Sequence, residues 1–118
     1  MRSMTTTAVR PEPDSRPVHR RGLEPLTYRS CLELLTGARI GRVVYTSAAM
    51  PAAQPVTYRI DGDDIIFRTD RGSALDLAAG DAVVAFEADN IDVDTQDGWS
   101  VLAVGHAHGS PTPNGSPT

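Results

Sequence analysis

The sequence predicts a mainly β domain, an antiparallel meander or Greek-key barrel that carries two short helices. Three observations predict it. Five runs rich in β-branched and aromatic residues (RIGRVVYTS, AAQPVTYRI, DIIFRT, DAVVAFE and WSVLAVGHA) are separated by short turn-rich segments. Asp61-Gly62, followed by Asp63, lies between two of the runs and is a strong hairpin signal. RVVY, IIF and AVVAF are apolar on both faces, so an open sheet would leave apolar surface in water. Closure into a barrel, or pairing across a dimer, removes that exposure.

The elements follow in order. Residues 26–36 predict a short helix with Leu26, Cys31, Leu34 and Leu35 near one face, Thr27 as N-cap and Gly37 past the end. Residues 39–47 predict a strand, 48–51 a turn, and 52–60 a second strand in which Pro55 implies an edge or a bulge. Residues 64–69 return antiparallel through the Asp-Gly turn. A short helix is expected at 73–79, a strand at 81–87, a polar acidic loop at 89–98 and a last strand at 99–107. Flanking these, residues 1–25 read as a flexible extension and 109–118, with GSPT twice, as a disordered tail. The domain proper is therefore expected over 26–108.

A chain of 118 residues holds one domain. At that size a dimer partner or a bound cofactor would add stability. No apolar run approaches the roughly 18 residues of a membrane span. The first 21 residues are basic but lack the apolar stretch of a secretory signal, and the single cysteine, Cys31, excludes an internal disulfide. A cytoplasmic location is the expectation. All 11 basic residues are arginine. Schiff-base chemistry needs a lysine amine, so that class of enzyme is excluded. Residues 1–25 carry five arginines and three acids, the rest six arginines and twelve acids. An acidic globular part argues against nucleic acid as the main partner.

The segment FRTDRGSALD, residues 67–76, carries the sharpest chemical signal. A strand ends at Arg68-Thr69, the chain turns through Asp70-Arg71-Gly72, and a helix begins near Ser73. Helix-start N–H groups suit phosphate, Ser73 and Thr69 add hydroxyls, and Arg68 and Arg71 add charge-assisted donors. Gly72 lets the backbone approach a ligand closely. The same residues also describe an ordinary strand–turn–helix with Ser73 as N-cap and two solvated arginines.

The order of GRVVYT, a Pro-containing turn, QPVTYRIDGDDIIFRT, RGSAL, VVAFEAD and GWSVLAVGHA resembles actinobacterial members of the pyridoxamine 5′-phosphate oxidase-like, FMN-binding split β-barrel family, over residues 26 to about 108. The resemblance implies a homodimer with a flavin at the subunit interface. FMN is the implied cofactor and the deazaflavin F420 the alternative. By position, Pro55, Val56 and Tyr58 match the strand that borders the flavin ring. Arg68 and Thr69 match the strand end near the phosphate, and Gly72, Ser73 and Leu75 match the turn and helix start that complete that site, with Arg71 beside them. Trp99 and Ser100 match residues near the ring, reached across the dimer. Many relatives carry lysine after the serine, where this chain has Ala74, so a phosphate contact is missing. Relatives also continue past the GHA strand with a helix and a closing strand; here GSPTPNGSPT follows, and an incomplete barrel is the expectation. The implied activity is an oxidoreductase of unknown substrate. The alternatives are an F420-binding reductase and a non-catalytic barrel dimer without tight flavin binding. No catalytic side chain stands out, Tyr58 being the only one to name near the ring.

Other constellations point to structure. His106 and His108 share a strand face, yet no third ligand with sensible spacing is evident, and no metal site is expected. The acids of 89–97 lack the glycine and glutamate of a calcium loop. Cys31 reads as a small buried hydrophobe, Arg42 as an ion-pair partner, and no G-x-S-x-G context supports a catalytic serine.

Overall fold

A computed structural model of the chain describes residues 4–12, 18–19, 27–95 and 97–111. Its elements are β1 (Met4–Pro11), β2 (Val18–His19), α1 (Tyr28–Gly37), β3 (Ile40–Ser47), β4 (Met50–Asp61), β5 (Asp64–Asp70), α2 (Ala74–Ala78), β6 (Asp81–Asp92) and β7 (Asp97–Pro111). The strands run in the order β1-β5-β4-β3-β6-β7-β2, and β1 also pairs with β7. That last pairing closes a six-stranded antiparallel barrel, with β2 lying beside the first part of β7 at Ser100 and Trp99.

Alternation of side chains builds the interior. In β3, Gly41, Val43 and Tyr45 point inward while Ile40, Arg42 and Val44 point out. In β5, Ile65, Phe67 and Thr69 point inward. Phe86 from β6 and Leu75 from α2 complete a continuous core with Val9, Val43, Ile65 and Phe67. Thr27 caps α1 by accepting a hydrogen bond from the Ser30 amide at 3.1 Å, and Cys31 and Leu35 are the buried face of that helix. The Asp-Gly hairpin is present, with Gly62 at φ +63° between the paired residues Asp61 and Asp64. Pro55 sits where β4 is paired on one side only. Residues 50–57 pair with β3, and the β5 pairing begins at Tyr58.

The expectation of a flexible extension over residues 1–25 fails for Met4–Pro11, which form a barrel strand. Thr5, Thr7 and Val9 face inward and Thr6, Ala8 and Arg10 outward, a period-2 pattern of mostly β-branched residues. The basic and proline-rich surroundings hid it. The expected incompleteness of the barrel is overturned by the same strand. β1 hydrogen-bonds to β5 over Met4–Val9 and to β7 over Thr5–Pro11, and so supplies the missing closure from the other end of the chain. Gly109–Pro111, assigned to a disordered tail, are the end of β7; residues 112–118 lie outside the described residues. The acidic segment 89–98 is mostly a hairpin extension, because Asp89–Asp92 stay in register with Ser100–Asp97.

The seam between β1 and β7 is tight. A Cβ built on Gly105 would lie 2.3 Å from the Arg10 carbonyl oxygen and 3.1 Å from Val9 Cγ1. Gly105→Ala should therefore push β1 outward and lower stability by about 1–3 kcal/mol, read from urea unfolding. Removal of residues 1–12 exposes both barrel edges and should abolish cooperative unfolding altogether. The β3–β4 hairpin holds a different strain: Ala48 and Ala49 have φ of +52° and +64°. Replacing Ala48-Ala49 by Asn-Gly, residues suited to that turn, should raise stability by about 1–2 kcal/mol.

Candidate functional site

The candidate phosphate segment is a strand–turn–helix. β5 carries Arg68 outward and Thr69 inward, so the two lie on opposite faces rather than side by side. Gly72 turns the chain at φ +84°, and Ser73 opens α2 in the extended conformation of an N-cap. The Ser73 hydroxyl accepts from the Asp76 amide at 3.2 Å, and the Asp76 carboxylate accepts from the Gly72 amide at 2.7 Å. Ser73 N–H donates to the Asp70 carbonyl at 3.0 Å. The bonds from Asp76 N–H to Ser73 Oγ and from Gly72 N–H to the Asp76 carboxylate make a capping box shifted by one residue, in which an internal carboxylate already lies on an amide a phosphate would use. Arg71 and Gly72 are exposed, Arg68 is exposed, and Leu75 is a core residue with no accessible surface.

Thr69 differs from its neighbours. It is 2% exposed, and its Oγ1 is the one buried side-chain polar atom among the described residues that has no hydrogen-bond partner. A buried hydroxyl left unpaired costs about 1–3 kcal/mol, a cost that a water or a ligand atom would remove.

The ring-side residues divide. Pro55 is exposed on β4, whereas Val56 and Tyr58 point into the core. Tyr58 stands opposite Phe67 in the β4–β5 ladder, which places Pro55–Tyr58 at the same end of that ladder as the turn. Its hydroxyl donates to the Leu35 carbonyl at 2.6 Å, and its ring meets Phe86 edge-on at 4.8 Å. Burial pushes the phenol up to about 12. Tyr58 is thereby a tie between α1 and the barrel and not a proton carrier at neutral pH. Trp99 and Ser100 lie at the start of β7, both half-buried, with Trp99 packed against the core. Thr69 shares a row with Thr5 and Pro111, at the other end of β7. Twelve residues of strand therefore separate Trp99 from that row, roughly 40 Å along the strand path. One chain does not bring Trp99 to the turn.

Arg42 is an ion-pair partner, at 3.0 Å from Glu87 and 3.8 Å from Asp89. Cys31 is buried, its thiol donates to the Thr27 carbonyl at 2.9 Å, and burial pushes it up to about 11, which removes it as a nucleophile. Asp92 accepts the amides of Asp94 and Thr95, a turn cap for the acidic hairpin. A grouping that sequence spacing missed is Asp81, which meets His106 and His108 on the outer face. Only the register, Asp81 opposite His108, reveals it.

A closed antiparallel barrel flanked by two short helices, with an arginine- and hydroxyl-bearing turn at one end, defines a class of small barrel proteins. Comparison with known proteins narrows the class. Residues 27–112 match the family model described as pyridoxamine 5′-phosphate oxidase, and the chain belongs to this pyridoxamine 5′-phosphate oxidase-like family. The match begins after β1, so the closing strand lies outside it. An uncharacterized protein of Mycobacterium tuberculosis is 40% identical over 81 residues, 64% of this chain and 53% of the relative. The chain thus spans about half the length of that curated relative. The solved structure of the FAD binding protein from Mycobacterium smegmatis is similar at 34% identity and a TM-score of 0.61, covering 67% of this chain and 71% of that one.

The Tyr58 tie is directly testable. Tyr58→Phe keeps the ring and its packing on Phe86 but removes the donor to Leu35. It should cost about 1–2 kcal/mol in unfolding free energy.

Proposed function

We propose that the chain binds a flavin nucleotide, FMN in the first instance, with the phosphate at residues 68–73 and the ring beside Pro55 at the interface of a homodimer. Thr69 carries the proposal: it is a buried hydroxyl without a protein partner, one step before an arginine-flanked turn. Family membership and a solved relative named as FAD-binding support a flavin as the ligand class. The groups present suit a phosphate at the strand end: Arg68 and Arg71 supply charge on its outer side, Ser73 a hydroxyl and Gly72 a close backbone approach, while the Thr69 hydroxyl is offered from the inner side. Asp76 must release the Gly72 amide for the phosphate to use it. A flavin would supply hydride or electron transfer, and the protein's part is to hold the nucleotide and shield its ring.

The dimer is supported by the outer face of the barrel. Val44, Ala85 and Val104 stand in one row across β3, β6 and β7, with Val83 and Leu102 beside them. Val83 is 65% exposed and Leu102 46%. Barrel closure hides the inner apolar face but not this one, and a second copy would cover it. In this reading Trp99 and Ser100 of one protomer lie near the flavin ring held by the other, as the family resemblance implies. Oxidoreductase activity is proposed with it, on a substrate of unassigned class, in the cytoplasm; no helix among the described residues is long and apolar enough to cross a membrane.

A non-catalytic barrel dimer is the second proposal. It is favoured by the Asp76 carboxylate on the Gly72 amide, by Ala74 and by the engaged Tyr58 hydroxyl. Titration with FMN, FAD, F420 and phosphate-free riboflavin separates the two. FMN is expected to bind more tightly than riboflavin. Arg71→Ala should weaken FMN by about ten- to a hundredfold and leave riboflavin unchanged. Thr69→Val should weaken FMN while leaving the ligand-free protein as stable as wild type or more so. A colourless protein without a thermal shift for any flavin overturns flavin binding. FMN binding that both variants leave intact overturns the placement at 68–73.

A further inference from the structure

We infer that Asp81, His106 and His108 form a binding site for a divalent first-row transition metal ion of the zinc, nickel or cobalt type. The two histidines are two residues apart on β7 and share its outer face, and Asp81, first residue of β6, stands directly opposite His108. The register of a regular antiparallel ladder thus holds all three side chains on one side of the barrel wall. One ligand atom from each comes within 4.8 Å of the other two. His106 Nε2 lies 2.6 Å from Asp81 Oδ1, and the two imidazoles have centroids 4.8 Å apart with planes inclined at 41°.

These spacings are close to what a metal needs. Zinc–imidazole and zinc–carboxylate bonds of about 2.0–2.2 Å place tetrahedral ligand atoms roughly 3.3–3.5 Å apart. Side-chain rotation alone brings the longest separation in and opens the His106–Asp81 pair. Two imidazoles and one carboxylate suit zinc, nickel, cobalt and copper, whereas magnesium and calcium prefer oxygen ligands. Three protein ligands leave a fourth position for water. All three residues are exposed in the single chain, and they lie at the edge of the outer face proposed for a second copy, since Val83 pairs with His106.

The surroundings favour a cation more than the register suggests. Arg10 of β1 is opposite His106, but its guanidinium is turned to Asp64 at 2.8 Å, where the two charges offset each other. The open depression beside the histidines is lined by Arg10, Tyr28, and the carboxylate residues Glu12 and Asp63. A bound ion would link the start of β6 to β7 where β7 meets the closing strand, and should stiffen that seam.

The test uses the untagged full chain and Zn2+ alone, by calorimetry, with Co2+ absorption as a second readout. The expected result is one Zn2+ per chain, a raised Tm, and a visible Co2+ band of nitrogen and oxygen ligation. His106→Ala and His108→Ala should each weaken Zn2+ by about tenfold or more, and Asp81→Asn by less. All three are surface substitutions, and circular dichroism of each variant should match wild type. The inference is overturned if wild type binds neither ion up to about 100 µM, or if the His106→Ala/His108→Ala double variant binds Zn2+ as wild type does. It is equally overturned if His19→Ala abolishes binding and the β7 variants do not.

Discussion

Everything in this fold depends on the double pairing of β1. A strand with hydrogen-bonded neighbours on both sides turns a curved sheet into a closed wall, and closure is what removes sheet edges. β1 reaches β5 through Met4–Val9 and β7 through Thr5–Pro11. Without it, Ile65, Phe67 and Thr69 would border an open slot, and the core around Val9 would be missing one wall. The chain therefore makes β1 and β7 neighbours across almost the whole described sequence. Folds dominated by such non-local pairings pay loop-closure entropy early and fold slowly.

Closure also arranges the candidate site. β5 is held between β1 and β4, and its last residues deliver Arg68 to the outside and Thr69 to the inside of the same wall. The turn at Gly72 then reverses into α2, whose Leu75 is buried in the core and fixes where the helix can begin. At the other helix, the Tyr58 hydroxyl grips the Leu35 carbonyl near the end of α1, so β4 carries a structural duty at the point where a ring-side role was expected. A residue that bonds a helix to a barrel cannot be freed for chemistry without loosening the helix.

Strands β3 to β7 were legible because each is a run of β-branched and aromatic residues bounded by turn chemistry, and the two helices because Thr27 and Ser73 are cap residues at the right distance from apolar positions. β1 was not, because TTTAVR is a weak strand on its own and lies beside proline- and arginine-rich sequence. Its partners are the edges of β5 and β7, more than fifty residues away. The turn was legible as strand–turn–helix, and the strand period itself sets Arg68 and Thr69 on opposite faces, against the expectation that both meet one phosphate. The acidic hairpin and the Asp81–His106–His108 grouping share a cause. Both depend on how β6 and β7 are staggered, and register between strands joined by a polar segment is not written in either strand alone.

The capping box decides where affinity for an anion can come from. The α2 helix has five residues, so its dipole is short, and the Gly72 amide already serves the Asp76 carboxylate. A phosphate arriving at that amide exchanges one anion for another, and the exchange by itself gains little. The gain must come from groups the carboxylate leaves unused. Ala74 offers none, and the Ser73 hydroxyl, an acceptor from the Asp76 amide, has only its own proton left to give. Arg68, Arg71 and the Thr69 hydroxyl remain, two exposed charges and one buried donor. A doubly charged phosphate carries more charge and one more oxygen than a carboxylate, so it can engage both arginines at once. Charge from the side chains around the turn, rather than the helix start itself, is therefore what would hold a nucleotide here.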